Sequence, residues 1–121
     1  MTLDEFIAES TERSDVRLST NGWVSEHGFK SLYVRRTGRW LEDRWVDCLD
    51  LANITASKPG NGAFKALVAR LRLAHPELTL FVEAIGTKRF MDGLLRMGFV
   101  RTHESRGVNA YLLGVASPEA Q

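Results

Sequence analysis

Cysteine is almost missing from this chain, since Cys48 is the single cysteine in 121 residues. One cysteine cannot form a disulfide within the chain, so a fold held together by internal disulfides is excluded. A chain without internal disulfides fits a reducing compartment, and we expect a cytoplasmic protein. Cys48 lies within an apolar run, which predicts a buried and inert thiol rather than a nucleophile.

Long hydrophobic runs and an excess of charge of one sign are also lacking. No apolar run approaches the roughly 20 residues that a membrane-spanning helix needs, and no secretory signal is visible, so we expect no membrane association. The formal net charge of +1 argues against a dedicated nucleic-acid-binding protein with a broad basic face. The three histidines have no ligand spacing with other donors, so we predict no metal site.

The pattern of apolar residues predicts one mixed α/β domain that covers residues 1–121, in the order helix, several strands, helix, strand, helix and two strands. The predicted helices are 2–13, with Thr2 as its cap, 62–74 and 87–97. The predicted strands are 16–23, 29–36, 45–54, 78–85, 99–103 and 108–113, and the predicted turns include 37–39 and 105–107. Strand 45–54 is apolar on both faces, which is typical of a central strand covered on both sides.

The most informative segment is 49–64, where an apolar strand runs into a loop with two glycines and then directly into an amphipathic helix. The first N–H groups of a helix have no partner within it and lie at its positive end, so this junction suits phosphate oxygens. Gly60 and Gly62 allow unusual backbone dihedrals and close approach of a ligand. We therefore predict a phosphorylated ligand here, with positive charge from Lys58 and Lys65. An ordinary strand-to-helix turn is the alternative interpretation.

This glycine loop resembles the phosphate-binding motif of the GNAT superfamily of N-acetyltransferases, and the match covers about residues 45–99. The family motif is Gln/Arg-x-x-Gly-x-Gly/Ala, and two registers fit. One places residues 60–62 on Gly-x-Gly with Ser57 in the Gln/Arg position. The second, which we prefer, places residues 62–64 there with Pro59 in the Gln/Arg position.

The second family signature is a strand, an Asn, a helix that carries Ala and Tyr, and a closing Gly-Phe. Counting back from the Gly-Phe at 98–99, Thr87 takes the Asn position, Phe90 the Ala position and Leu94 the Tyr position. Combined with the glycine loop at this distance, the Gly-Phe pair strengthens the resemblance.

The resemblance implies a mixed, mostly antiparallel sheet, flanked by helices, with a V-shaped split between two central strands where acetyl-CoA binds. It implies transfer of an acetyl group to a primary amine by direct attack in a ternary complex. The residues expected to hold the cofactor are Ala52, Asn53, Ile54, Gly60, Asn61, Gly62, Ala63, Phe64, Lys65, Thr87 and Phe90. The acceptor stays open between a small molecule and a protein, with a nucleic acid also open, and a homodimer through the last strands is an option.

Amine acylation needs a base or a water relay near the cleft, because only the neutral amine attacks. Glu83 and Asp50 are the main candidates, with Asp47 a third. Glu83 and Asp50 interrupt the apolar strands expected to flank the split, where burial raises a carboxyl pKa. The structural alternative for each is a carboxylate that pairs with a nearby arginine.

Two further features bear on the acceptor and on turnover. Leu94 replaces the family's tyrosine acid, which leaves Tyr111, Tyr33 or solvent to protonate the thiolate. This departure supports the alternative function, a catalytically inactive GNAT-like module that acts on a macromolecular partner. A cluster of aromatic and basic residues could serve such a partner, or could be solvated arginines over packed tryptophans. Its members are Trp23, Arg35, Arg36, Arg39, Trp40, Arg44 and Trp45.

Overall fold

The computed structural model describes residues 1–13, 19–104 and 107–115, which form three helices and six strands of a mixed α+β fold. The helices are α1 (Leu3–Glu12), α2 (Ala63–Ala74) and α3 (Lys88–Arg96). The strands are β1 (Thr20–Val24), β2 (Phe29–Leu41), β3 (Arg44–Ala56), β4 (Thr79–Val82), β5 (Val100–Glu104) and β6 (Gly107–Leu112). The early part of the predicted first strand, 16–18, and positions 105 and 106 of a predicted turn lie outside the described residues.

The six strands form one sheet in the order β1-β2-β3-β4-β6-β5. Every neighbouring pair is antiparallel except β3 and β4, which run parallel at the centre. A parallel pair needs a crossover connection, and α2 supplies it. The prediction of a mixed, mostly antiparallel sheet with flanking helices is therefore confirmed.

The main core lies between the three helices and one face of the sheet. Leu49 and Leu51 of β3 belong to it together with buried residues from all three helices, such as Phe6, Leu67 and Leu94. The opposite face of the sheet holds a smaller cluster of Leu41, Cys48, Phe81 and Tyr111, with Val46 and Leu113 partly buried against it. Strand β3 is thus central as predicted, but within the described parts of the chain helices cover it on one face alone.

The turn predicted at residues 37–39 is wrong. These residues lie within β2, where Gly38 is paired with Asp47 of β3. The chain reverses instead at Glu42 and Asp43, whose φ angles of 50° and 62° are those of a two-residue hairpin turn with both central residues left-handed. Cross-strand pairing along a long ladder kept Gly38 extended, and its local preference for turns did not decide the structure.

Strand β4 is shorter than predicted, because the chain turns away from β3 after Val82. The β3–β4 ladder ends at the pair Leu51 and Val82, and the N–H of Glu83 donates to the carbonyl of Leu51 at 3.3 Å. Ala84 then adopts a left-handed φ of 52°, and its N–H donates to Asn109 Oδ1 of β6 at 2.9 Å. Beyond this point β3 continues to Ala56 with β2 as its neighbour.

Candidate functional site

A cleft of about 820 Å³ lies between the loop after β3, the start of α2 and one face of α3. This volume is in the range of small-molecule sites in proteins. The predicted cofactor-binding residues that line it are Ile54, Gly60, Asn61, Gly62, Ala63, Phe64, Lys65, Thr87 and Phe90. Ala52 and Asn53 are not in this lining and lie before Ile54 on β3.

The first turn of α2 offers its backbone N–H groups to the cleft. Gly62 is the cap residue with a left-handed φ of 77°, and no side chain caps this helix. In contrast, Thr2 accepts from the N–H of Glu5 in α1, and Thr87 accepts from the N–H of Phe90 in α3. The first bond within α2 runs from the N–H of Ala66 to the carbonyl of Gly62, so the N–H groups of residues 63–65 have no partner within the helix.

Positive charge is concentrated around this cleft. Lys58, Lys65, Arg89 and Arg96 line it, and its lining contains no Asp or Glu. None of these four cations forms a salt bridge within the described part of the chain, whereas arginines such as Arg36 and Arg70 are paired with carboxylates. Since the whole chain carries a net charge of only +1, the cleft is a local positive site suited to an anion of several charges.

An aromatic pair connects α2 and α3 in the lining of the cleft. Phe64 of α2 and Phe90 of α3 meet edge to face, with their ring centroids 5.2 Å apart. Both rings line the cleft and pack partly against the main core. The cleft therefore combines charged walls with an apolar surface, which is the usual composition of a site for an amphipathic small molecule.

Sequence reasoning did not assign Arg89, Gly93 and Arg96 to the site, although they line the cleft from α3. The signal was present in their spacing, because residues four and three apart fall on one face of a helix. Phe90 was placed on that helix through its family position, and the neighbouring basic residues were not linked to the glycine loop.

A β-bulge lies where β3 and β4 separate. Tyr33 is paired with Asn53, and the next residue of β2, Val34, is paired with Leu51, so Ala52 is the extra residue on β3. A bulge of this kind re-aims side chains and bends the strand locally. From Ala52 onward, the edge of β3 that faced β4 has no paired strand among the described residues.

Asp50 is fully buried on the face of the sheet opposite the helices, in an ion network with two arginines of β2. Arg39 donates from Nε to Oδ1 at 3.0 Å and from Nη2 to Oδ2 at 2.7 Å, and Arg35 Nη1 donates to Oδ2 at 3.3 Å. Burial lowers the pKa of Arg39, but the hydrogen bonds to Asp50 and the negative charges of Asp50 and Glu83 together outweigh it and hold the pKa above its usual value. The guanidinium carbon Cζ of Arg39 also lies over the Phe81 ring, 3.8 Å from the ring centroid.

Glu83 is the second carboxylate of this network and is partly exposed. Its Oε1 accepts from Arg35 Nη1 at 2.6 Å and from Arg39 Nη2 at 2.8 Å, while no described residue donates to Oε2. Burial raises the pKa of Glu83, Asp50 raises it further, and the two arginines oppose the shift without cancelling it. Glu83 thus presents one oxygen, on a carboxyl with a raised pKa, at the point where the two strands part.

The other sequence candidates occupy less open positions. Leu94 is fully buried in the main core. The hydroxyl of Tyr111 donates to Glu42 Oε2 at 2.9 Å, and its pKa is raised by burial and by that carboxylate. Burial raises the pKa of the Cys48 thiol to about 12, and the predicted buried thiol is confirmed. Asp47 forms a salt bridge with Arg36 on the helix side of the sheet, with 2.6 Å between Arg36 Nη2 and Asp47 Oδ2.

In the aromatic and basic cluster, the tryptophans are exposed and three of the arginines are bound, which is the opposite of solvated arginines over packed tryptophans. The tryptophans at 23, 40 and 45 are exposed, at 60%, 58% and 68% respectively, and Trp40 contacts Trp45 across the hairpin. The arginines at 35, 36 and 39 are instead bound to carboxylates. The interpretation as solvated arginines over packed tryptophans is therefore wrong, because Asp47, Asp50 and Glu83 bind the guanidinium groups.

Comparisons of this chain with protein-family models, with curated proteins and with solved structures found no match. No helix in the described part of the chain combines the length and the apolar character that crossing a membrane requires. The described residues also contain no group of three or more His, Cys, Asp and Glu side chains that could hold a metal ion.

Proposed function

We propose that this protein is a GNAT-like N-acetyltransferase that transfers an acetyl group from acetyl-CoA to a primary amine in a ternary complex. The observation that carries the proposal is the cleft itself, where the uncapped start of α2 meets four cations without salt-bridge partners in the described residues. The parallel pair at the centre of the sheet, which parts after Leu51 and Val82, supports the split that the family resemblance implies.

In this proposal the pyrophosphate of the cofactor binds to the N–H groups of residues 63–65. Backbone amides at the positive end of a helix suit phosphate oxygens, and Lys58 and Lys65 add charge beside them. The pantetheine arm carries two amides and would extend along the open edge of β3 at residues 52–54, as an added strand does. A backbone N–H at the Ala52 bulge would then stabilise the negative charge that develops on the acetyl oxygen.

Glu83 is proposed as the base. Its oxygen Oε2 accepts no hydrogen bond from the described residues, and its raised pKa makes it a stronger proton acceptor than an ordinary carboxylate. The neutral amine attacks the thioester carbon, the new N–C bond forms, the C–S bond breaks, and the thiolate takes a proton from solvent. Asp50 acts as a positioning residue in this scheme, because both of its oxygens are already bound by arginines.

The second candidate function is a catalytically inactive module of the same fold that binds a macromolecular partner. Two observations favour it: Leu94, in the position of the family tyrosine, is fully buried, and large tryptophan surfaces are exposed. Exposed apolar side chains that lie next to each other are typical of interaction sites.

Calorimetric titration with acetyl-CoA, followed by thiol-release assays on a panel of amines, separates these functions. We expect wild-type protein to bind acetyl-CoA, and the double variant K58Q/K65Q to bind it about tenfold or more weakly, which is the loss of ~1.4 kcal/mol of binding free energy. The matched control is Lys30→Gln, because Lys30 is exposed, outside the cleft and without a salt bridge in the described residues.

Thiol release with any amine, lost in Glu83→Gln while acetyl-CoA binding persists, would support catalysis with Glu83 as the base. Binding without turnover on every amine would favour the inactive module. Absence of acetyl-CoA binding by the wild-type protein would refute the acetyltransferase proposal.

A further inference from the structure

The basic residues of the cleft are divided between two walls. Lys58 lies in the loop before α2 and Lys65 in the first turn of α2, while Arg89 and Arg96 lie on α3. Seven residues separate the two arginines along α3, which is about 10 Å at the rise of an α-helix. A single pyrophosphate at the start of α2 gives the lysines an anionic partner and leaves the arginine wall without one.

Gly93 lies between these arginines on the same face of α3 and lines the cleft. Glycine disfavours a helix interior because it gains the most freedom in the unfolded chain. Packing within the protein does not require it, because a Cβ there would meet only Arg96 Nη2, at 3.9 Å. The missing side chain leaves open space beside the Arg96 guanidinium in the lining of the cleft.

Arginine is the side chain best suited to a phosphate monoester. Its planar fork matches two phosphate oxygens, and a monoester carries up to two negative charges near neutral pH. The lining of the cleft supplies no carboxylate that would compete for Arg89 or Arg96. The arginine wall is therefore a site for a phosphate separate from the one that the α2 N–H groups serve.

We propose that Arg89 and Arg96 bind a second phosphate of the same ligand, the 3′-phosphate on the ribose of CoA, and so select CoA over dephospho-CoA. This inference rests on the proposed function for the identity of the ligand. The Phe64–Phe90 pair lies between the two phosphate sites and supplies apolar surface for the adenosine that links the two phosphates.

Calorimetric titration of CoA and of dephospho-CoA into three proteins, at one fixed salt concentration, tests the inference. The proteins are the wild type, the double variant R89Q/R96Q, and Arg44→Gln as the matched control, since Arg44 is exposed at the hairpin end outside the cleft. We expect the wild type and the control to prefer CoA by about tenfold or more. The double variant should lose that preference by weakening the binding of CoA, with dephospho-CoA binding unchanged.

Equal binding of the two ligands by the wild type would overturn this inference and leave the proposed function standing. A double variant that weakens both ligands to the same extent would also overturn it, because the arginines would then act on a shared part of the ligand. If the wild type binds neither ligand, the proposed function fails together with this inference. Thermal unfolding of each variant shows that it is folded under the conditions of the titration.

Discussion

Replacing Asp50 by asparagine removes one negative charge from the ion network on the face of the sheet opposite the helices. It keeps the shape of the side chain. Asp50 is fully buried and receives two hydrogen bonds from Arg39 and one from Arg35. The variant leaves these guanidinium groups with Glu83 as their remaining carboxylate partner. We expect Asp50→Asn to lower the free energy of unfolding clearly.

The magnitude follows from the burial of the partners. Removing one member of a buried ion pair costs ~3–5 kcal/mol, because the other charge stays buried without compensation. The side chains of Arg35 and Arg39 are 30% and 22% exposed and still contact Glu83, so part of that cost is recovered. We therefore expect a loss of about 2–3 kcal/mol, with a fall in Tm of roughly 10 °C for a domain of this size.

Guanidinium unfolding followed by circular dichroism measures this loss. The matched control is Asp47→Asn, because Asp47 also lies on β3 and both of its carboxylate oxygens accept hydrogen bonds from one arginine of β2, Arg36. Asp47 is 40% exposed, and Arg36 keeps contacts with the Ser10 and Thr11 hydroxyls of α1, so the control should lose less than about 1 kcal/mol. Equal losses in the two variants, or no loss in Asp50→Asn, would refute the argument that burial makes the Asp50 network important.

Three further predictions concern single residues. Burial, and next Asp50, raise the pKa of Glu83, so its contribution to stability is fully present below the usual carboxyl pKa and is lost as pH rises through the raised value. Glu83→Gln should flatten the curve of unfolding free energy against pH between the usual carboxyl pKa and the raised pKa of Glu83. An unchanged curve would contradict the raised pKa. The Cys48 thiol, with a pKa of about 12, should resist alkylation at pH ~8 in native protein and react in denaturant; rapid native reaction would show that it is accessible. Ala84→Gly should raise the free energy of unfolding by about 1 kcal/mol, because it relieves a left-handed φ of 52° at a non-glycine residue; a lower Tm would show that Ala84 contributes packing instead.

Local features of the structure were accessible from sequence. The first helix begins after Thr2, whose side chain accepts from the N–H of Glu5 at 3.1 Å as the capping pattern predicted. The helices α2 and α3 lie within one residue of their predicted bounds. Most of the residues predicted to hold a cofactor line one cleft, while their role in binding stays a prediction.

Features set by distant partners were not accessible. The turn propensity of Gly38 gave a wrong hairpin, because pairing with Asp47 across the ladder kept it extended. Leu94 is fully buried and its neighbour Leu95 is 44% exposed, since the orientation of α3 on the sheet decides which of two neighbouring leucines is buried. Sequence likewise offered carboxylates and arginines as separate sets, and could not show that Asp50 and Glu83 share the same two arginines.

The amino-acid sequence by itself determined where the helices begin and end and that a glycine loop precedes α2, because caps, periodicity and backbone freedom act within a few residues. Tertiary structure alone decided that Arg89 and Arg96 line the same cleft as Lys58 and Lys65. It also decided where β3 and β4 part, since that point depends on the bond from Ala84 to Asn109, a residue 25 positions away in the chain. Contacts between distant segments carry no local signature, and they bring the four cations of this cleft together.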